Sequence, residues 1–206
     1  MKIVELSGPA HKRGEQHGRQ NKEGIHCYLE GLYSAFAGHG WSRARARREA
    51  GKYIPFVEHY SQEIAEEIRG IAEGSERKTE EIMMVVAFYE ICDRLRLFGS
   101  GRGCTGFAVG PSATATGEAY IGQNYDREFG WDTTKYLFLL RVKPSSGPSI
   151  MGWTYPGQPP TYGVNSRGIA TCWQTPHSGE RKLGVPAFVI VAEMLRQKSI
   201  GEALSR

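Results

Sequence analysis

A glycine-rich segment near the middle of the chain separates two stretches with different hydrophobic patterns. Three glycines fall within the five residues Gly99-Ser-Gly-Arg-Gly103, a composition that disfavours regular structure. Before this segment apolar residues recur at helical spacing, and after it short apolar runs alternate with turn-forming residues. The sequence therefore predicts an α+β protein in which a helical region, 1–103, precedes a strand-rich region, 104–206.

The first region is predicted to be mainly helical after a short extended segment at Lys2–Leu6. A polar helical pattern covers about 12–36, and within it Gln16 and His17 are expected to have structural roles. A second amphipathic helix carries apolar side chains at Val57, Tyr60, Ile64, Ile68 and Ile71. A third helix is expected to begin with Thr79 as its cap and to continue through the apolar run 82–91.

Six short strands are predicted in the second region, at 105–109, 119–124, 136–142, 150–155, 161–164 and 169–173. Turn-forming pairs such as Thr116-Gly117 separate them, which favours hairpins in an antiparallel sheet. A helix is then expected from Pro186 to about Gln197, and Ser199 with Glu202 forms a capping box for another. Because this last helix has about two turns before Arg206, we expect the natural domain to continue further.

Composition argues against several classes of function. The net charge of +4 comes partly from a basic run, 43–52, which is expected to be a solvated helix face and not a nucleic-acid site. No secretory signal or long apolar segment suggests export or a membrane anchor. The cysteines at 27, 92, 104 and 172 lack zinc spacing, and the six histidines are scattered. We therefore expect a cytoplasmic protein with free thiols and no bound metal or cofactor.

Cys104 is the strongest candidate for a catalytic group. It stands where the glycine-rich segment meets the first predicted strand, and cleavage of the Gly103–Cys104 bond would leave a thiol and an α-amine on one residue. An α-amine titrates near pH 8, so its neutral fraction can act as general base for the adjacent thiol. Gly103 would assist the cleavage because it has no side chain to obstruct the attacking sulfur. An inert core cysteine is the alternative.

Asp126 is the second candidate. A hairpin through Thr116-Gly117 would place the strand that leads to Asp126 beside the strand that follows Cys104. A carboxylate at that end could hydrogen-bond the α-amine of Cys104 and orient it. A turn aspartate that caps local backbone groups is the competing interpretation.

Several short motifs together resemble one family. Gly14-Glu-Gln-His-Gly18, Gly103-Cys104-Thr105, Gly122-Gln-Asn-Tyr-Asp126, Gly163-Val-Asn-Ser-Arg-Gly168 and Gly184-Val-Pro-Ala occur in the order found in the acyl-coenzyme A:6-aminopenicillanic acid acyltransferase family. These are self-cleaving cysteine peptidases of the N-terminal-nucleophile (Ntn) type, related to penicillin acyltransferase. The resemblance spans nearly the whole chain.

The resemblance implies the first half of an αββα Ntn-hydrolase sandwich, with a pro-segment or α-subunit that ends at Gly103 and a β-subunit that begins at Cys104. Cys104 would be the nucleophile and Asp126 would contact its amine, while Gln174 stands near the position of an oxyanion-related Asn. Substrate contacts would come from Thr105, Gln123 and Asn124. Gln123 matches the acyltransferase branch, because bile-salt and penicillin V hydrolase relatives have Arg there.

Three departures from the family pattern stand out. Gly106 replaces a frequent Thr or Ser, Gln174 replaces an Asn, and the family's further active-site Asn and Arg belong to a second half that this sequence lacks. The implied partners are a small acyl amide or an acyl-coenzyme A thioester, and the cleaved α and β parts of the chain itself. Acyl transfer to an amine and hydrolysis by water both stay open, as do a non-catalytic remnant of the same fold and, less favoured, a papain-like thiol enzyme.

Overall fold

The structure is a computed structural model that describes residues 1–96, 104–126, 134–174 and 182–206. Helices α1 to α7 cover Ala10–Gln20, Lys22–Gly38, Arg43–Gly51, Ile54–Tyr60, Gln62–Gly74, Thr79–Val86 and Phe88–Arg94, and α8 and α9 cover Ala187–Met194 and Ile200–Leu204. Strands β1 to β7 cover Ile3–Gly8, Thr105–Val109, Tyr120–Asn124, Phe138–Pro144, Ile150–Thr154, Tyr162–Asn165 and Ala170–Thr171. The predicted α+β class is confirmed.

The strands form two sheets. A five-stranded sheet has the order β1-β4-β5-β6-β7, and a separate antiparallel pair, the β2–β3 ribbon, carries Cys104 at its start. Strand β1 runs parallel to β4, and the other neighbours in the larger sheet are antiparallel. The predicted antiparallel hairpins are confirmed, but β2 and β3 form a sheet of their own. The parallel edge strand β1, which comes from the helical region, was not part of the prediction.

Strand β1 also ties the two regions of the chain together. Val4 and Leu6 of β1 share a buried cluster with Phe138, Leu140 and Val142 of β4. Helix α1 packs against both strands, so one face of the larger sheet is covered by helix. The first region is therefore part of the same sheet and core as the second.

Helices α1 and α5 make the closest helix contact in the described structure, and glycines permit it. A Cβ on Gly14 would lie 2.0 Å from the Glu67 carbonyl oxygen, and one on Gly70 would lie 2.1 Å from the His11 carbonyl oxygen. Gly18 and Gly74 are in equally close backbone contact one turn further along. The motif Gly14-Glu-Gln-His-Gly18 thus has a packing role, since only glycine allows two helix backbones to approach this closely.

A buried ion cluster joins these helices to the segment after α8. Glu67 is completely buried, and its Oε2 accepts hydrogen bonds from Arg13 at 3.1 Å and from Arg196 at 2.9 Å. The two guanidinium groups hold the pKa of Glu67 below its ordinary value in spite of burial. A carboxylate can stay charged inside a protein only with partners of this kind.

Helix boundaries differ from the sequence prediction in several places. The predicted segment 12–36 is divided at Asn21, the amphipathic segment 57–71 at Ser61, and the apolar run 82–91 at Ala87. The helix expected to reach about Gln197 ends at Met194. Lys78, not Thr79, holds the cap position of α6, and its backbone N–H donates to the Glu81 carboxylate at 3.0 Å. At the last helix the prediction is confirmed, because the Ser199 hydroxyl accepts from the backbone N–H of Glu202 at 3.2 Å. None of the described helices has the length and apolar character needed to cross a membrane.

Candidate active site

Cys104 stands immediately before β2, and its side chain is half-buried. It forms no disulfide bond, and neither does any other cysteine of the described residues. Gly103, the other half of the expected cleavage site, lies outside the described residues. Cys104 therefore lies at the end of the ribbon where β2 begins, and its side chain is partly accessible to solvent.

The register of the ribbon defines the neighbours of Cys104. Strands β2 and β3 pair antiparallel with Thr105 opposite Asn124, so the position next to Cys104 on the other strand is Tyr125. This pairing confirms the predicted hairpin. Asp126 follows at the same end of the ribbon, and its side chain is exposed. The expected contact between its carboxylate and the α-amine of Cys104 stays a prediction.

Thr105 and Asn124 are both exposed at the end of the ribbon that carries Cys104. Because side chains alternate along a strand, they lie on the face opposite to Gly106 and Gln123. Their expected contacts with substrate stay predictions as well.

Gln123 fastens the ribbon to the segment that follows β7. Its Nε2 donates to the Trp173 carbonyl oxygen at 2.6 Å, and its Oε1 accepts from the Trp173 backbone N–H at 3.0 Å. A side-chain amide thereby imitates the hydrogen bonds of a neighbouring strand. This contact positions the ribbon, and the substrate contact expected of Gln123 stays a prediction.

Gln174 lies beside Gly106 of β2, and Gly106 is two residues after Cys104. Its Nε2 is 3.1 Å from the place where a Cβ on Gly106 would stand, and the Cys172 sulfur is 4.0 Å from that place. The two departures from the family pattern are thus spatially connected, because the side chain absent at Gly106 leaves room for the Gln174 amide. Residues two apart on a strand share a face, so this amide and the Cys104 side chain lie on the same side of β2.

A stack of aromatic rings supports this side of the ribbon. The rings of Trp153 and Tyr162 are parallel with centroids 4.2 Å apart, and Trp173 continues the stack at 6.1 Å from Tyr162. Tyr125 packs edge-on against Trp153 and Tyr162 at 5.4 and 5.3 Å. The Tyr89 hydroxyl donates to the Tyr125 hydroxyl at 2.9 Å. Sequence reasoning anticipated aromatic packing here, but not that Tyr125, opposite Cys104, would pack against this stack.

Two polar atoms in this stack are buried without a hydrogen-bond partner among the described residues. They are the Tyr162 hydroxyl and the Trp173 indole Nε1. Burial raises the pKa of the Tyr162 hydroxyl above its ordinary value, and the nearby Tyr125, Tyr89 and Cys104 groups raise it further. Tyr162 therefore keeps its proton at neutral pH, and its hydroxyl is able to donate a hydrogen bond.

A cavity of about 390 Å³ opens between the ribbon and the face of the larger sheet that α1 does not cover. Its walls are mainly apolar and include Ile121, Leu139, Met151, Trp153, Val164 and Cys172. Met151 and Val164 are 50% and 40% exposed, so the cavity is open to solvent. A cavity of this size and character suits the apolar part of a small ligand.

Histidine chemistry is absent from this neighbourhood in the described structure. His17 is fully buried, and its Nε2 accepts from the Gly157 backbone N–H at 3.1 Å. Gln16 exchanges two hydrogen bonds with the backbone of Ser7 in β1. The expected structural roles of His17 and Gln16 are confirmed. Within the described ranges, no group of three His, Cys, Asp or Glu side chains could hold a metal ion.

No protein-family model matches the chain.

Proposed function

We propose that the protein is a cysteine enzyme of the Ntn type that cleaves its own Gly103–Cys104 bond and then forms an acyl-thioester on Cys104. The acyl group passes to an amine or to water. The observation that carries the proposal is the position of Cys104, a half-buried thiol at the start of the ribbon. Asp126 follows the paired strand at the same end of the ribbon, the Gln174 amide lies beside Gly106, and β3 lines an apolar cavity.

The self-cleavage begins with attack of the Cys104 sulfur on the Gly103 carbonyl carbon. A C–S bond forms, the C–N bond between the two residues breaks, and the thiol proton goes to the nitrogen that becomes the α-amine. Water then cleaves this thioester and leaves a carboxylate on Gly103 and a free thiol on Cys104. The product carries its nucleophile and general base on one residue.

Acyl transfer repeats this chemistry on a substrate. The sulfur attacks the acyl carbonyl carbon, the α-amine accepts the thiol proton, and the leaving group departs with that proton. Water or an amine then attacks the thioester and releases a carboxylic acid or a new amide. Each attack places negative charge on a carbonyl oxygen, and a well-placed donor stabilises it by about 3 kcal/mol. The Gln174 amide is suited to this task because it lies on the Cys104 side of β2.

The layers of the structure are compatible with half of an αββα sandwich. Helix α1 covers one face of the larger sheet, and the ribbon lies over the other face around the cavity. After cleavage, the fragment 1–103 would stay attached to the rest through the β1–β4 pairing and its buried cluster. This supports the proposed association of the cleaved α and β parts.

Intact-mass analysis of the purified protein beside Cys104→Ala tests self-cleavage. We expect two fragments that meet at Gly103 and Cys104 for the parent, and one unbroken chain for Cys104→Ala. Cys27→Ala is the matched control, since Cys27 is an exposed thiol on α2 and should not affect cleavage. An active parent with an unbroken chain would exclude the self-processing step.

Hydrolase and transferase activity are separated by the acceptor. An acyl amide and an acyl-coenzyme A thioester would each be supplied with water alone and with an added primary amine. Formation of a new amide in preference to the free acid indicates a transferase. Release of the acid alone, whatever the amine concentration, indicates a hydrolase. Failure of every donor to acylate Cys104 in a correctly cleaved protein would favour a non-catalytic remnant.

A further inference from the structure

The Tyr162 hydroxyl is a buried polar group in the aromatic stack beside the ribbon that the proposed mechanism does not yet use. Tyr162 is 3% exposed, and its hydroxyl oxygen has no hydrogen-bond partner within the described residues. An unsatisfied buried hydroxyl destabilises the folded state. A ligand that accepts a hydrogen bond from the Tyr162 hydroxyl would remove that cost.

The hydroxyl lies in a rigid setting. The Tyr162 ring is held between Trp153 and Trp173, with interplanar angles of 3° and 13°. Trp153 and Tyr162 are also directly opposite each other on β5 and β6. The position of the hydroxyl is therefore fixed by the sheet, and little side-chain entropy would be lost when it donates to a ligand.

Tyr125 links this ring to the Cys104 end of the ribbon. It continues β3 opposite Cys104, and its ring packs edge-on against the Tyr162 ring with centroids 5.3 Å apart. In addition to burial, the Tyr125 hydroxyl raises the pKa of Tyr162, and the Cys104 thiol adds to that effect. Tyr162 also lines the apolar cavity.

From this geometry we infer that the Tyr162 hydroxyl donates a hydrogen bond to the acyl carbonyl oxygen of the substrate while Cys104 attacks the adjacent carbon. The inference rests on the proposed thioester function and adds a catalytic donor on β6. In the attack, the carbonyl electron pair moves to oxygen as the C–S bond forms, and the Tyr162 proton stays on Tyr162. The same bond weakens when the carbonyl reforms and the leaving group departs.

Two reactions of Cys104 distinguish this role from a structural one. Acylation by p-nitrophenyl butyrate passes through an oxyanion, whereas alkylation by iodoacetamide is a direct displacement at carbon and forms no oxyanion. Tyr162→Phe keeps the stacked ring and removes only the hydroxyl. We expect acylation of Cys104 to slow 10- to 100-fold, since one oxyanion donor is worth about that factor or more. Alkylation of Cys104 should proceed within twofold of the parent rate.

Both rates are measured at Cys104 by peptide mass analysis and are referred to the self-cleaved fraction of each sample. Tyr53→Phe, at another fully buried tyrosine, in the helical layer, is the matched control and should leave both rates unchanged. A Tyr162→Phe variant that folds like the parent but self-cleaves 10- to 100-fold more slowly also supports the inference, because self-cleavage forms its own oxyanion.

Equal acylation by parent and Tyr162→Phe would overturn the inference and leave the thioester function standing. Equal slowing of acylation and alkylation would also overturn it, since that pattern indicates a disturbed site. A parent protein that alkylates normally but is acylated by no donor would instead refute the proposed function on which the inference rests.

Discussion

Protonation of His17 should make the protein markedly less stable in mild acid. Burial is the largest cause that lowers the pKa of His17 from 6.5 to about 4, nearby Glu67 acts in the opposite direction, and Lys2 lowers it slightly. The ring is completely buried and accepts a hydrogen bond from the Gly157 N–H, which a protonated Nε2 could not do. The folded state therefore favours neutral His17.

The direction of this pH dependence of stability follows from proton binding. The unfolded state takes up a proton near pH 6.5, while the folded state resists it until about pH 4, so the stability from neutral His17 is complete above pH 6.5 and declines as the pH falls. The lowered pKa corresponds to a loss of about 3 kcal/mol in total. Roughly 2 kcal/mol of this should be lost between pH 7 and pH 5.

Urea denaturation at several pH values measures this loss as a change in the free energy of unfolding. His17→Gln is the comparison, because a glutamine oxygen can accept from Gly157 N–H but does not titrate. We expect the variant to be less stable at pH 7 and to lose about 2 kcal/mol less than the parent between pH 7 and pH 5. Parallel pH profiles for the two proteins would refute the assignment of this dependence to His17.

Two substitutions at glycine test the packing and the site. Gly70→Ala should lower the free energy of unfolding by at least about 2 kcal/mol, because its Cβ would lie 2.1 Å from the His11 carbonyl oxygen; urea denaturation measures this, and Gly38→Ala, with open space around it, should show no such loss. Gly106→Ala should slow acylation of Cys104 about tenfold by displacing the Gln174 amide, with unfolding little changed; Gly110→Ala is the matched control, and unchanged acylation would contradict the role of Gln174.

Local patterns in the sequence were sufficient to locate most of the elements. Strand β2 was predicted with its observed limits, and its pairing with β3 followed from the turn at Thr116-Gly117. These features depend on residues close together in the chain. The parallel partner of β4 was not predictable in this way, because β1 lies more than a hundred residues earlier and no local signal specifies a distant strand.

The site was only partly predictable for the same reason. Cys104 and Asp126 were identified from their neighbours in the sequence, but the position of Gln174 beside Gly106 depends on how the segment after β7 returns to the ribbon. The Gln123–Trp173 contact and the orphan hydroxyl of Tyr162 depend on that return as well. Aromatic residues in strands are common in cores, so their number alone did not indicate a donor beside the nucleophile.

The most direct test of the account is to locate the acyl group after brief reaction with p-nitrophenyl butyrate and acid quenching. Peptide mass analysis should find the butyryl group on a fragment whose first residue is Cys104, in a form that hydroxylamine removes. A butyryl group elsewhere, or on a Cys104 still joined to Gly103, would contradict the claim that this cysteine acts as a newly created chain terminus.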